Sequence, residues 1–115
     1  PFRAMLQEML DRHAPYPAMV CDRHWTIQDA NSAARALLAP LQGEAGEMNV
    51  IRMLTDSPAA PDLIENYAEA LAEMHARIKL EALEAGRDPV LEALLTKLST
   101  RMADHPSRTS ARAKT

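Results

Sequence analysis

Apolar residues near the start of the chain fall at Phe2, Met5, Leu6, Met9 and Leu10, the spacing of one helical stripe, with Arg3, Gln7, Glu8 and Arg12 opposite. The pattern predicts a helix from Phe2 to about Arg12, ended by Pro15 and Pro17. Its stripe needs cover, first from its own domain and otherwise from the seam of a dimer. The period then changes to two. Met19 and Cys21 alternate with Ala18 and Val20, the run breaks at Asp22-Arg23-His24, and Trp25, Ile27 and Asp29 alternate with Thr26 and Gln28. Two short strands in a hairpin follow from this. Asn31 is placed to cap an Ala/Leu-rich helix from Ser32 to about Ala39, closed by Pro40.

A polar loop, Gln42 to Glu47, holds two of the three glycines and leads to an apolar segment, Met48 to Leu54, with Asn49 as its cap. After a break at Thr55 to Pro61, Ile64, Tyr67, Leu71, Met74 and Ile78 recur at three and four residues. They predict a long helix from about Asp62 to Ala85, with an Asp62/Glu65 capping box and Gly86 just past its end. Asp88-Pro89 opens a last helix whose stripe is Leu91, Leu94, Leu95, Leu98 and Met102. The fold class is α+β, helix-rich, with a short antiparallel β-hairpin packed against helices. Its organisation is an N-terminal amphipathic helix over 1–13, one domain over 16–104 and a polar, basic tail over 105–115. That tail carries no large apolar residue in SRTSARAKT and reads as disordered or as a linker.

A chain of 115 residues suits a single core that buries roughly two-thirds of its unfolded surface. The net charge of −3 is too mild for nucleic-acid binding by electrostatics. One cysteine, Cys21, excludes a disulfide framework and fits a reducing cytoplasm. No apolar run approaches the ~20 residues of a membrane span. The chain opens on Pro1 rather than Met, so an upstream segment is expected. Chemistry is sparse: His13, His24, His75 and His105 show no ligand spacing, Cys21 reads as a small strand hydrophobe, and no nucleophile–base set can be assembled. The expectation is a protein that is not an enzyme and holds no metal or cofactor. Seven methionines stand against one phenylalanine and one tryptophan. Met19, Met48, Met53 and Met74 are expected on inward sides of four elements, where their adaptable side chains either surround an apolar guest or fill a soft core.

The run from Tyr16 to Leu38, with Pro17, Asp22, Arg23, Trp25 and the Asn31-x-Ala33-Ala34 step, followed by Asn49-Val50-x-Arg52 and two long helices, resembles the MmyB-like ligand-binding domain. This is a PAS-like domain found C-terminal to a helix-turn-helix in Xre-type bacterial transcription regulators. The similarity spans about Tyr16 to Met102. It implies a cytoplasmic sensor whose sheet and helices enclose an apolar site, with a fatty-acid-like ligand and with DNA bound only through an upstream domain outside this chain. The strands that complete a PAS-like sheet after the last helix are missing from the pattern, so the hairpin's open edge needs cover from the first helix, a second copy or residues outside the chain. The expected ligand-binding residues are Trp25, Asn31, Leu38, Asn49, Arg52, Met53, Tyr67, Leu71 and Met74. Among them Arg52, helped by Asn49, would meet an acidic head. A homodimer is expected, and the competing expectation is a ligand-free protein–protein interaction module.

Overall fold

The computed structural model describes residues 1–106, so the tail predicted beyond Pro106 lies outside the described residues. Six helices and one two-stranded sheet follow in the order α1 (Phe2–Asp11), β1 (Met19–Cys21), β2 (Ile27–Ala30), α2 (Ser32–Gln42), α3 (Val50–Asp56), α4 (Ala60–Leu63), α5 (Tyr67–Glu84) and α6 (Pro89–Asp104). The class is the helix-rich α+β expected. The chain divides into two compact units, residues 1–53 and the residues from Leu54 on.

In the first unit the hairpin is antiparallel, with Met19 opposite Ala30, Val20 opposite Asp29 and Cys21 opposite Ile27. Two steps along β2 from Asp29 to Ile27 thus match one step along β1. This β-bulge breaks the alternation read from the sequence, because an extra residue in one strand resets the phase of every side chain beyond it. Ile27 and Ala30, three apart, are both buried, while Gln28 between them is exposed. They pack with Ala34, Leu38 and Met53, and Met19, Cys21, Leu41 and Val50 lie partly buried against that cluster.

Trp25 is not the strand residue expected. It sits in the turn at φ 68°, the left-handed region, with its N–H on Asp22 O at 3.0 Å and its carbonyl accepting from Val50 N at 2.9 Å. The Asp22 carboxylate shapes the same turn by accepting from His24 N and Thr26 N at 2.9 and 3.0 Å. Those bonds, chiefly the one from Thr26, hold its carboxyl below the usual range.

The outer edge of β2 is met from within the unit. Ile27 N donates to Met48 O at 2.8 Å. From α1, Arg3 donates to Gln28 O at 3.1 Å and Gln7 to Ala30 O at 3.1 Å, and Arg35 of α2 also donates to Ala30 O. Polar side chains of α1 do this work, with Leu10 buried and Leu6 half-buried beside them. The rest of the α1 stripe stays open, Phe2, Met5 and Met9 being 77 %, 64 % and 59 % exposed.

Asn31 caps α2 as predicted, its Oδ1 accepting from Ala34 N at 2.9 Å. The helix continues through Pro40 instead of closing there. Only the last turn loses a backbone bond to the proline, and continuation sets the partly buried Leu41 against the core and lets Gln42 Nε2 donate to Glu47 O at 3.1 Å. Gly43, at φ 63°, then ends it.

The second unit is built on α5 and α6, a helical hairpin with Tyr67, Leu71, Ile78, Ala82, Leu91, Leu94 and Leu98 buried. The single helix expected from Asp62 is broken: α4 stops at Leu63, Ile64 is extended at φ −102° and ψ 110°, and α5 starts after Asn66. Hydrophobic spacing cannot reveal this, because Ile64 and Tyr67 keep a three-residue interval across the break. The break leaves Tyr67 buried with its hydroxyl on Leu54 O at 2.6 Å, which satisfies both groups. The ends drawn from sequence hold elsewhere. Gly86 stands past α5 at φ 75°, and the Asp88 carboxylate accepts from Val90 N and Leu91 N at 2.9 and 3.2 Å.

Candidate functional site

The first unit carries a groove of about 400 Å³ between β2 and α2, within the range of small-molecule sites. Ile27, Ala30, Leu38 and Ala39 supply hydrocarbon, Gln28, Asp29, Arg35 and Gln42 supply polar groups, and Met48 completes the lining. Met48, expected to face inward, is instead exposed. Each polar residue is placed by backbone geometry. The bulge sets Gln28 and Asp29 side by side, and α2 sets Arg35 and Gln42 two turns apart on one flank. Asp29 pairs with Arg3 at 3.5 Å. Arg35 gives Nη2 to Ala30 O and, at 3.5 Å, to Gln7 Oε1. An arginine carries five N–H donors, so its other nitrogens are left for a ligand.

Of the residues proposed from sequence, Leu38 lines this groove. Met53 belongs to the core cluster with Leu38, on the side of the hairpin that the protein's own side chains fill. Trp25 is half-buried in its turn. Asn31 is buried with its amide fully engaged: Oδ1 accepts from Ala18 N and Ala34 N at 3.1 and 2.9 Å, and Nδ2 donates to Leu10 O and Tyr16 O at 2.9 Å each. Asn49 is engaged in the same manner. Its Oδ1 accepts from Ile51 N and Arg52 N at 3.0 and 3.2 Å, and its Nδ2 donates to His24 O and Thr26 Oγ1 at 2.7 and 3.3 Å. These two side chains tie loops to helix starts. Arg52 is exposed on α3 and does not line the groove. Tyr67 and Leu71 are buried and Met74 half-buried on α5, in the second unit.

Sequence reasoning missed Arg35, Gln28, Asp29 and Gln42. A solvated helix face and a groove wall share one polar pattern, and the bulge that turns Gln28 and Asp29 toward the groove leaves no mark in composition. Cys21, half-buried against the core, keeps its thiol protonated, as burial and then the Asp22 charge raise its pKa. Among the described residues no three His, Cys, Asp or Glu side chains gather as a metal site. No described helix is long and apolar enough to cross a membrane.

A short hairpin braced by helices carries a groove of mixed lining beside it. The family model of the MmyB-like transcription regulator ligand binding domain matches residues 2–114, and the chain belongs to that family. It is therefore the non-enzymatic ligand-binding domain of a transcription regulator. No curated protein and no solved structure matches the chain.

Proposed function

We propose that this domain senses a fatty-acid-like molecule in the β2–α2 groove on behalf of a bacterial regulator, with DNA contacted through an upstream helix-turn-helix domain. The acyl chain lies over Ile27, Ala30, Leu38 and Ala39, and the carboxylate meets Arg35. The observation that carries this reading is the guanidinium of Arg35, set in the wall of a hydrocarbon-floored groove with donors to spare. It moves the head-group contact from Arg52 to Arg35 and gives Asn31 and Asn49 the task of holding the groove's elements in place. A charge-assisted hydrogen bond contributes about 1.5–3 kcal/mol, so Arg35→Gln should weaken dodecanoate binding by roughly ten- to a hundredfold. Titration calorimetry on the purified chain measures this, with Arg52→Gln expected to bind as the parent does. Equal affinity for the parent and Arg35→Gln removes Arg35 from the site. The ligand acts on regulation by binding one arrangement of the protein more tightly than another.

A second reading, dimerisation, rests on the open stripe of α1. Phe2, Met5 and Met9 are spaced by three and four residues, the a/d interval of a helix–helix seam. A second copy of the chain offers the same stripe in return, as a two-fold interface requires. Sedimentation velocity should show a dimer for the parent and a monomer with unchanged circular dichroism for Met5→Glu/Met9→Glu. A dimer that survives both charges places the interface elsewhere.

A further inference from the structure

The polar wall of the β2–α2 groove offers donors and acceptors unequally. Gln28 Nε2 donates to Asp22 Oδ2 at 3.4 Å and to Thr26 O at 3.3 Å. Gln42 Nε2 donates to Glu47 O at 3.1 Å and to Met48 Sδ at 3.3 Å. Every one of these partners is an acceptor, which fixes the orientation of both amides, since reversing either would set its oxygen against oxygen or sulfur. The N–H groups of both residues are thus engaged inside the protein. Their Oε1 atoms take no donor among the described residues, and both side chains belong to the groove lining.

Asp29, in the same lining, gives Oδ1 to Arg3 at a long 3.5 Å and keeps Oδ2. On the donor side stands Arg35, with Nη2 on Ala30 O and Gln7 Oε1 and with Nε and Nη1 remaining. A plain fatty acid answers half of this wall. Its ionised carboxylate only accepts, so it satisfies Arg35 and leaves the three acceptors unmet. Seating it displaces water from those acceptors and brings its charge into the groove that already holds the Asp29 carboxylate. An O–H or N–H on the ligand supplies what is lacking.

We propose that the groove selects an acyl ligand whose head carries an O–H or N–H donor beside its carboxylate, as in a hydroxy acid or an N-acyl amino acid. Arg35 takes the carboxylate, and Gln28, Asp29 and Gln42 are the acceptors that set specificity. The inference rests on the reading of the groove as a fatty-acid-like site and narrows the class of ligand.

Titration calorimetry on the full chain tests it with dodecanoate, 3-hydroxydodecanoate and N-decanoylglycine, each below the concentration at which it forms micelles. A donor-bearing ligand should bind roughly three- to thirtyfold tighter than dodecanoate, the span of one or two hydrogen bonds. The hydroxy acid ahead identifies an O–H, and the acylglycine ahead identifies an N–H. Gln28→Met/Gln42→Met keeps the length of both side chains and removes both amide oxygens. It should bring the ratio of the two affinities close to one in a chain whose circular dichroism matches the parent. If the double variant does not fold, Gln28→Met alone carries the comparison and should lower the ratio. Equal affinity for the three ligands in the parent, or a ratio undiminished in the folded variant, overturns the proposal. Arg35→Gln separates its failure from failure of the sensor reading. Dodecanoate binding that depends on Arg35 without preference for a donor defeats the selectivity alone, whereas binding indifferent to Arg35, or no binding of any ligand, defeats both.

Discussion

Asn31→Ala is expected to lower the stability of the first unit by roughly 3–5 kcal/mol, a larger loss than a truncated surface cap gives. The usual cap deletion strands one helix N–H. Here one amide serves four backbone groups, from α1, the loop after it, the approach to β1 and the start of α2. Truncation leaves Tyr16 O, Ala18 N and Ala34 N without partners and takes one partner from Leu10 O, His13 N remaining at 3.1 Å. Each orphaned buried group costs about 1–3 kcal/mol, and the sum is reduced where water can replace the amide. Asn31→Asp should recover part of the loss, since its carboxylate still accepts from Ala18 N and Ala34 N. It cannot donate to the two carbonyls and sets a negative charge against them. Urea denaturation followed by far-UV circular dichroism measures both. A loss below about 1 kcal/mol for Asn31→Ala would mean that the amide is not the junction of these elements.

Leu71→Ala should destabilise the second unit by about 2–5 kcal/mol, the range for removing a fully buried leucine and leaving a cavity. Leu71 is 0 % exposed on α5, in the same buried set as Tyr67, Ile78, Leu94 and Leu98. The sequence pattern also suggests Leu71 as a ligand contact, and the two roles separate cleanly. A core leucine lowers the denaturant midpoint with or without dodecanoate. A ligand contact leaves the unliganded midpoint in place and lowers affinity instead. Calorimetry on the folded fraction, beside the urea curves, distinguishes them.

The parts of this molecule legible in its sequence are those governed by local chemistry. Asn31, Asn49 and Asp88 cap the helices they precede, Gly86 ends α5, and the apolar stripes of α5 and α6 are buried as their spacing requires. Local rules failed where tertiary packing overrode them. Pro40 stays inside α2 because Leu41 beyond it has a core to enter, and α5 begins late because Tyr67 reaches Leu54 O. The groove was the least legible part. Its apolar floor, Ile27, Ala30 and Leu38, could be drawn from periodicity as generic core. Its wall comes from polar residues whose pattern is that of any hydrated surface. Asn31 and Asn49, expected both as helix caps and as ligand contacts, are buried because of the backbone groups they satisfy.

The irregular step in β2 has an evolutionary corollary. With Ile27 and Ala30 locked inward, Gln28 and Asp29 become adjacent positions whose side chains can be exchanged while the hydrophobic interior stays whole. Under the proposed reading of the groove, descendants of this scaffold could change what they detect through neighbouring codons, because drift at that pair alters the lining before it erodes foldability.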